Sequence, residues 1–170
     1  MSAKYVMVDV ESDGPCPGKY SMVSFGAVIV EDPIKSTFYS KLQPISDNYI
    51  EEALKVSGFT RGLTLTFNDP KEEMVRFGAW LKKMLGNSKP MFVSDNNGFD
   101  WQFINYYFHV FVGDNPFGFS STNLGSLYKG LVKNTRKNFK HLRETRHTHN
   151  ALDDAIGNAE AMNKILKELN

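Results

Sequence analysis

Asp9 and Glu11 close the apolar run Tyr5-Val6-Met7-Val8-Asp9-Val10-Glu11. Side chains on a strand alternate between faces, so two carboxylates one residue apart project from the same side of a sheet. Like charges held that close repel unless a cation lies between them, and oxygen ligands suit a hard ion such as Mg2+ or Mn2+. Taken alone, the pair reads more simply as solvated charges at a strand end. A second group stands in Ser94-Asp95-Asn96-Asn97-Gly98-Phe99-Asp100-Trp101, a polar loop between a short apolar strand and an aromatic-rich helix. Open α/β sheets place ligands at such strand ends. Asp95 and Asp100 also have ordinary roles as loop and helix-cap residues, and that explanation holds for at least one of them. The third group is His149 with Asp153 and Asp154, at the start of the last helical stretch. At 100° per residue the two aspartates flank the apolar stripe on opposite sides, so periodicity does not choose between them. One of the pair is accounted for by the helix dipole.

Together the three groups describe a specific chemistry. Carboxylates around two divalent ions about 3.5 to 4 Å apart can activate water and stabilise the leaving oxygen of a phosphodiester. A nearby histidine titrates close to neutrality and is suited to take the proton from that water.

The elements that must bring these residues together follow from pattern. Asp13-Gly14 and Pro17-Gly18 are turn chemistry ending the first strand. Met22 to Val30 reads as a second strand, broken by Asp32-Pro33, and Ser36 to Leu42 as a third in an antiparallel meander. Ser46 or Asp47 can cap a short helix through Ile50, Ala53, Leu54 and Val56 that stops at Gly58. Asp69-Pro70 opens a longer helix whose apolar positions, Met74 to Leu85, keep a helical period until Gly86-Asn87. Pro90 to Val93 is a short buried strand, Phe103 to Val112 a helix, and Ser121 to Leu131 a helix whose opening can be a short fifth strand. The last helix begins at His149-Asn150 and runs to Leu169 along Leu152, Ala155, Ile156, Ala159, Met162, Leu166 and Leu169.

The chain has 170 residues and a formal net charge of +1, so contact with a polyanion must come from a local patch and not from a global field. That patch is Lys129, Lys133, Arg136, Lys137, Lys140, Arg143 and Arg146, opposed by Glu144 alone, whereas no Lys or Arg occurs from Pro90 to Tyr128. A block of this kind suits a phosphate backbone or is a solvated basic loop. The single cysteine, Cys16, makes no intramolecular disulfide, and no apolar run reaches the length of a signal or membrane segment. The expected protein is soluble, cytoplasmic and without membrane contact, in one domain spanning residues 1–170. His147, two residues from His149, reads as a surface histidine of the basic segment and not as half of a metal pair.

On these residues the chain resembles the DEDDh 3'-5' exonucleases of the ribonuclease H-like fold. Asp9-Val10-Glu11-Ser12-Asp13-Gly14 looks like the first motif of that family, Asn96-Asn97-Gly98-Phe99-Asp100 the second, and His149 through Asp154-Ala155 the third. The resemblance implies an α/β fold with a mixed central sheet, three antiparallel strands followed by parallel ones, flanked by helices. It implies that Asp9, Glu11 and Asp154 bind two Mg2+ or Mn2+ ions, that Asp100 supports the second ion, and that His149 is the general base. Family spacing thus selects Asp154 over Asp153. The implied product is a nucleoside 5'-monophosphate from the 3' end of single-stranded RNA or DNA. Ser12 and Asn96 sit where the family contacts the terminal nucleotide, and Met22 or a neighbour can lie against its base, although Met22 reads first as core. Lys137 and Lys140 are expected to meet phosphates. Two departures stand out: Ser24 and Ser57 occupy positions where the family often has Glu and His. Ser24 resembles RNA-trimming members and tilts the expected substrate toward RNA. A homodimer is expected by analogy. The competing readings are a binding module with little or no activity and a phosphodiesterase for very short oligonucleotides.

Overall fold

The computed structural model describes residues 3–169, without the Leu169 side chain. Strand β1 (Ala3–Ser12) lies at the centre of a five-stranded sheet with β2 (Met22–Ile29), β3 (Thr37–Lys41), β4 (Lys89–Ser94) and β5 (Ser121–Asn123), ordered β3-β2-β1-β4-β5. The first three strands pair antiparallel, as the pattern implied, and β4 and β5 join parallel, as the family resemblance implied.

Alternation along β1 decides which helices cover which face. Val6, Val8 and Val10 enter one core with Met74, Phe77 and Leu81 of α3 (Pro70–Leu85) and Phe103, Ile104 and Phe108 of α4 (Asn97–Phe111). Met7 enters the other, with Leu124 and Tyr128 of α5 (Leu124–Leu131) and Ala155, Ala159 and Met162 of α6 (Ala151–Leu169). Asp9 and Glu11 share the period of Met7, so they face α6. Removing apolar surface of this extent from water is the main force that closes both layers.

Gly26 fixes how closely α6 approaches. It pairs with Asp9 on one side and Tyr39 on the other, and a Cβ on it would overlap the Ala151 carbonyl oxygen and the Leu152 Cα. The first turn of α6 therefore rests on bare backbone, which a glycine alone permits.

Several element boundaries differ from expectation. Neither Ser46 nor Asp47 caps the first helix: α1 runs from Glu51 to Val56, and Ser46 Oγ donates instead to the Lys19 carbonyl at 2.8 Å. A four-residue helix, α2 (Arg61–Thr64), follows it, opened by the Thr60 side chain. Its Arg61 reaches back to buried Asp13 at 3.1 Å, tying this segment to the end of β1. At β5 the strand alternative holds, three residues long, before α5 begins at Leu124.

Candidate active site

The site lies where β1 runs past the end of its partner β4. Parallel pairing stops at Met7 opposite Val93, leaving that edge of β1 open beyond it. Asp100, in the first turn of α4, fills the gap, with its Oδ1 accepting the Val10 N–H at 3.1 Å. Asp100 is 3% exposed, and burial pushes its carboxyl up to about 7. The helix cap is Asn96, and Asp95 accepts from Arg143 at 3.2 Å, so neither aspartate has the cap role open to it from sequence.

On the α6 face, ligand oxygens of Asp9, Glu11 and Asp154 all lie within 4.8 Å of one another. Burial, then the neighbouring carboxylates, raises Asp9 well above the usual carboxylate range and Glu11 to about 8. Asp9 and Glu11 are thus held beside Asp154 where their own ionisation is opposed, the arrangement a divalent cation relieves. Asp100 stands outside this cluster of oxygens but raises both Asp9 and Glu11.

Asp154 is held by the loop that precedes α6. Its Oδ1 accepts from the Thr148 N–H at 3.0 Å and its Oδ2 from the His149 N–H at 3.1 Å. Asp153 faces outward, taking the Thr148 hydroxyl at 3.0 Å. The ambiguity left by helical periodicity is resolved in space: Asp154, 1% exposed, joins Asp9 and Glu11, and Asp153 does not. α6 itself begins at Ala151, with Asn150 Oδ1 accepting the Leu152 N–H at 3.0 Å. His149 has a left-handed backbone, φ 59°, and an exposed side chain. For a residue other than glycine that conformation is uncommon, and here it aims two consecutive N–H groups at one carboxylate.

Three sequence expectations need correction. Met22 is fully buried in the α3/α4 core, its N–H donating to Tyr107 Oη at 2.8 Å, so its side chain meets no substrate. The apolar surface beside Glu11 and Ser12 comes instead from Ile50, Ala53, Val56 and Phe99. Arg143 is not a free member of the basic block, because it bonds Asp95 and Asn158 and lies over the Phe139 ring. His147 is more than a surface histidine: its Nδ1 lies 2.8 Å from Asp154 Oδ1. Only the short spacing to His149 hinted at that contact. Ser12 Oγ is turned inward onto the Gly14 carbonyl at 2.6 Å, whereas Asn96, Lys137 and Lys140 are exposed.

A model of the RNase T family, described as exonuclease, matches residues 6–162 and so includes every segment of this site. The chain belongs to the RNase T exonuclease family. It is 40% identical, across 96% of its length and 91% of the other protein, to the 3'-5' DNA exonuclease Cap18 of Escherichia coli. The nuclease domain of 3'hExo, a DEDDh family member bound to rAMP, superposes with a TM-score of 0.79 at 18% identity, over 98% of this chain and 93% of that one. The zinc-bound E. coli ExoI-ssDNA complex superposes at 0.75 and 16% identity, over 99% of this chain but 41% of that one. The resemblance read from the three motifs is borne out, as is the fold class.

Proposed function

We propose that the chain is a metal-dependent 3'-5' exonuclease that releases nucleoside 5'-monophosphates from single-stranded 3' ends, as one exonuclease domain over residues 1–170. The observation that carries the reading is the convergence of Asp9, Glu11 and Asp154 beside an exposed His149. Buried carboxylates that resist joint ionisation fit divalent cations well, and Asp9, Glu11 and Asp154 are the residues that would hold Mg2+ or Mn2+, supported by Asp100. Such ions, when bound, acidify water and neutralise charge on a phosphate. The chain's own residues do the rest. His149 takes the proton of the attacking water, while its own N–H and that of Thr148 keep Asp154 from turning away. A hollow of about 370 Å³ lined by Ile50, Ala53, Val56 and Phe99 next to Glu11 offers the terminal base an apolar seat. Exposed Asn96, Lys137 and Lys140 are suited to sugar and phosphates.

The polymer favoured is DNA, with RNA second. The tilt toward RNA came from Ser24, which pairs opposite Glu11 but is 1% exposed and so offers a 2'-hydroxyl nothing. The name of the E. coli relative points to DNA. The same reading carries a cytoplasmic homodimer, checked by sedimentation and by fractionation. The decisive experiment incubates matched 5'-labelled DNA and RNA strands with Mg2+ or Mn2+, and with EDTA. Stepwise shortening with the ions alone, DNA faster, is expected. Cutting of a circular strand, or cleavage in EDTA, would overturn the mechanism.

A further inference from the structure

Asp154 belongs to two clusters, and the second contains no other carboxylate. Ligand atoms of His147, His149 and Asp154 all lie within 4.8 Å of one another. The two imidazoles meet edge-on with ring centres 4.4 Å apart, and His147 Nδ1 is 2.8 Å from Asp154 Oδ1. Ligands at tetrahedral zinc distances stand about 3.4 Å from one another, within the span these atoms already cover. Both histidines are exposed, so an ion reaches them from solvent and a fourth position stays open to water. Asp154 is already fixed by the Thr148 and His149 N–H groups, the kind of outer support that ligating carboxylates need.

Ligand chemistry separates the two clusters. Oxygens alone suit Mg2+ and Mn2+, whereas two imidazoles with one carboxylate suit Zn2+ and its neighbours. We propose that His147, His149 and Asp154 form an inhibitory site for Zn2+-class ions, which, on the reading of His149 as general base, removes that base and engages Asp154 at once. His147 is the member that makes the site, since the hydrolytic reaction does not use it. Loading exchanges the His147 Nδ1 contact with Asp154 for a bond from each to the ion, and any proton on the coordinating nitrogen passes to solvent.

Two readouts test this. In excess Mg2+, Zn2+ is titrated into wild type and His147→Ala, each compared with its own zinc-free rate. His147→Ala is expected to need about 10-fold more Zn2+ or beyond for half inhibition. Equal sensitivity would mean that zinc acts at Asp9 and Glu11, and would overturn the proposal. Independently of activity, Co2+ added in the presence of Mg2+ is expected to give an intense tetrahedral visible band that is lost in His147→Ala and in His149→Ala but kept in Asp9→Asn. A band indifferent to both histidines overturns the site. The expected cobalt pattern in a protein without exonuclease activity would uphold the site and sink the proposed function instead.

Discussion

Asp9, Glu11 and Asp100 are carboxylates held above their ordinary range, and the direction of that shift has a consequence for the protein without ions. An unfolded carboxylate titrates near 4, so between about pH 4 and about pH 8 these three groups hold more protons in the folded chain than in the unfolded one. Their contribution to stability is complete below that window and is lost as pH rises through about 7 for Asp100 and about 8 for Glu11. The Tm of EDTA-treated protein is therefore expected to fall between about pH 5 and about pH 8.5, and Mg2+ or Mn2+ to restore it most at the alkaline end. Glu11→Gln should flatten the profile; a Tm that rises through this range would contradict the shared burial of the acids. Calorimetry should detect protons released on ion binding. At the same scale, Asp154→Asn and His149→Ala are expected to lower the exonuclease rate by about 10²-fold or more, and Asp153→Asn by less than about 3-fold. Steady-state rates on one labelled strand decide this. The choice between the two aspartates was not legible from periodicity, because both flank the apolar stripe; the packing of α6 on β1 and β2 and the N–H groups of Thr148 and His149 decide it in space. His147 is exposed as the sequence led one to expect; what was not legible was its contact with Asp154, which a loop conformation makes and a single sequence does not mark.

At the scale of elements, most of what positions the site was legible. Alternation along β1 put Asp9 and Glu11 on one face, and the stripe of α6 gave that face its cover. What was not legible was the distance between them, which Gly26 sets. Gly26→Ala cannot be relieved by a rotamer, because the atoms it meets are backbone. It is expected to cost about 1–3 kcal/mol in urea unfolding and to lower the rate further than the loss of folded protein explains, since α6 carries Asp154. Wild-type activity in Gly26→Ala would mean that the helix has slack at this point. Arg143 illustrates the opposite failure. Composition grouped it with the solvent-facing cations, yet its side chain is 8% exposed and bonds Asp95 beside β4. Arg143→Ala is expected to lower the unfolding free energy by about 1–3 kcal/mol, and with it the urea midpoint. A midpoint unchanged from wild type would return Arg143 to the surface block.

For the whole molecule, the remaining basic residues matter through their sum. Lys129, Lys133, Arg136, Lys137, Lys140 and Arg146 are exposed on a chain of net charge +1, so their field is local. Neutralising Lys137 and Lys140 together should leave Tm within about 2 °C and weaken binding of a single strand, reducing the slope of log affinity against log salt by about one per lost phosphate contact. Fluorescence anisotropy over a salt series measures it, and an unchanged slope would remove the block from substrate binding. Among the described residues no helix is long and apolar enough to cross a membrane. The antiparallel opening was legible from pattern and the parallel strands from the family resemblance, but the spatial order of the strands was not; the second helical turn at Arg61 was not either, having too few residues to show a period.

Gly26 also bears on whether the acid cluster exists at all. Asp9 and Glu11 lie on β1, whereas Asp154 lies far along the chain at the start of α6. The three meet only where the first turn of α6 rests on the bare backbone at Gly26. One residue without a side chain thus acts as the joint between two distant parts of the chain, and the cluster is a property of that joint and not of either part.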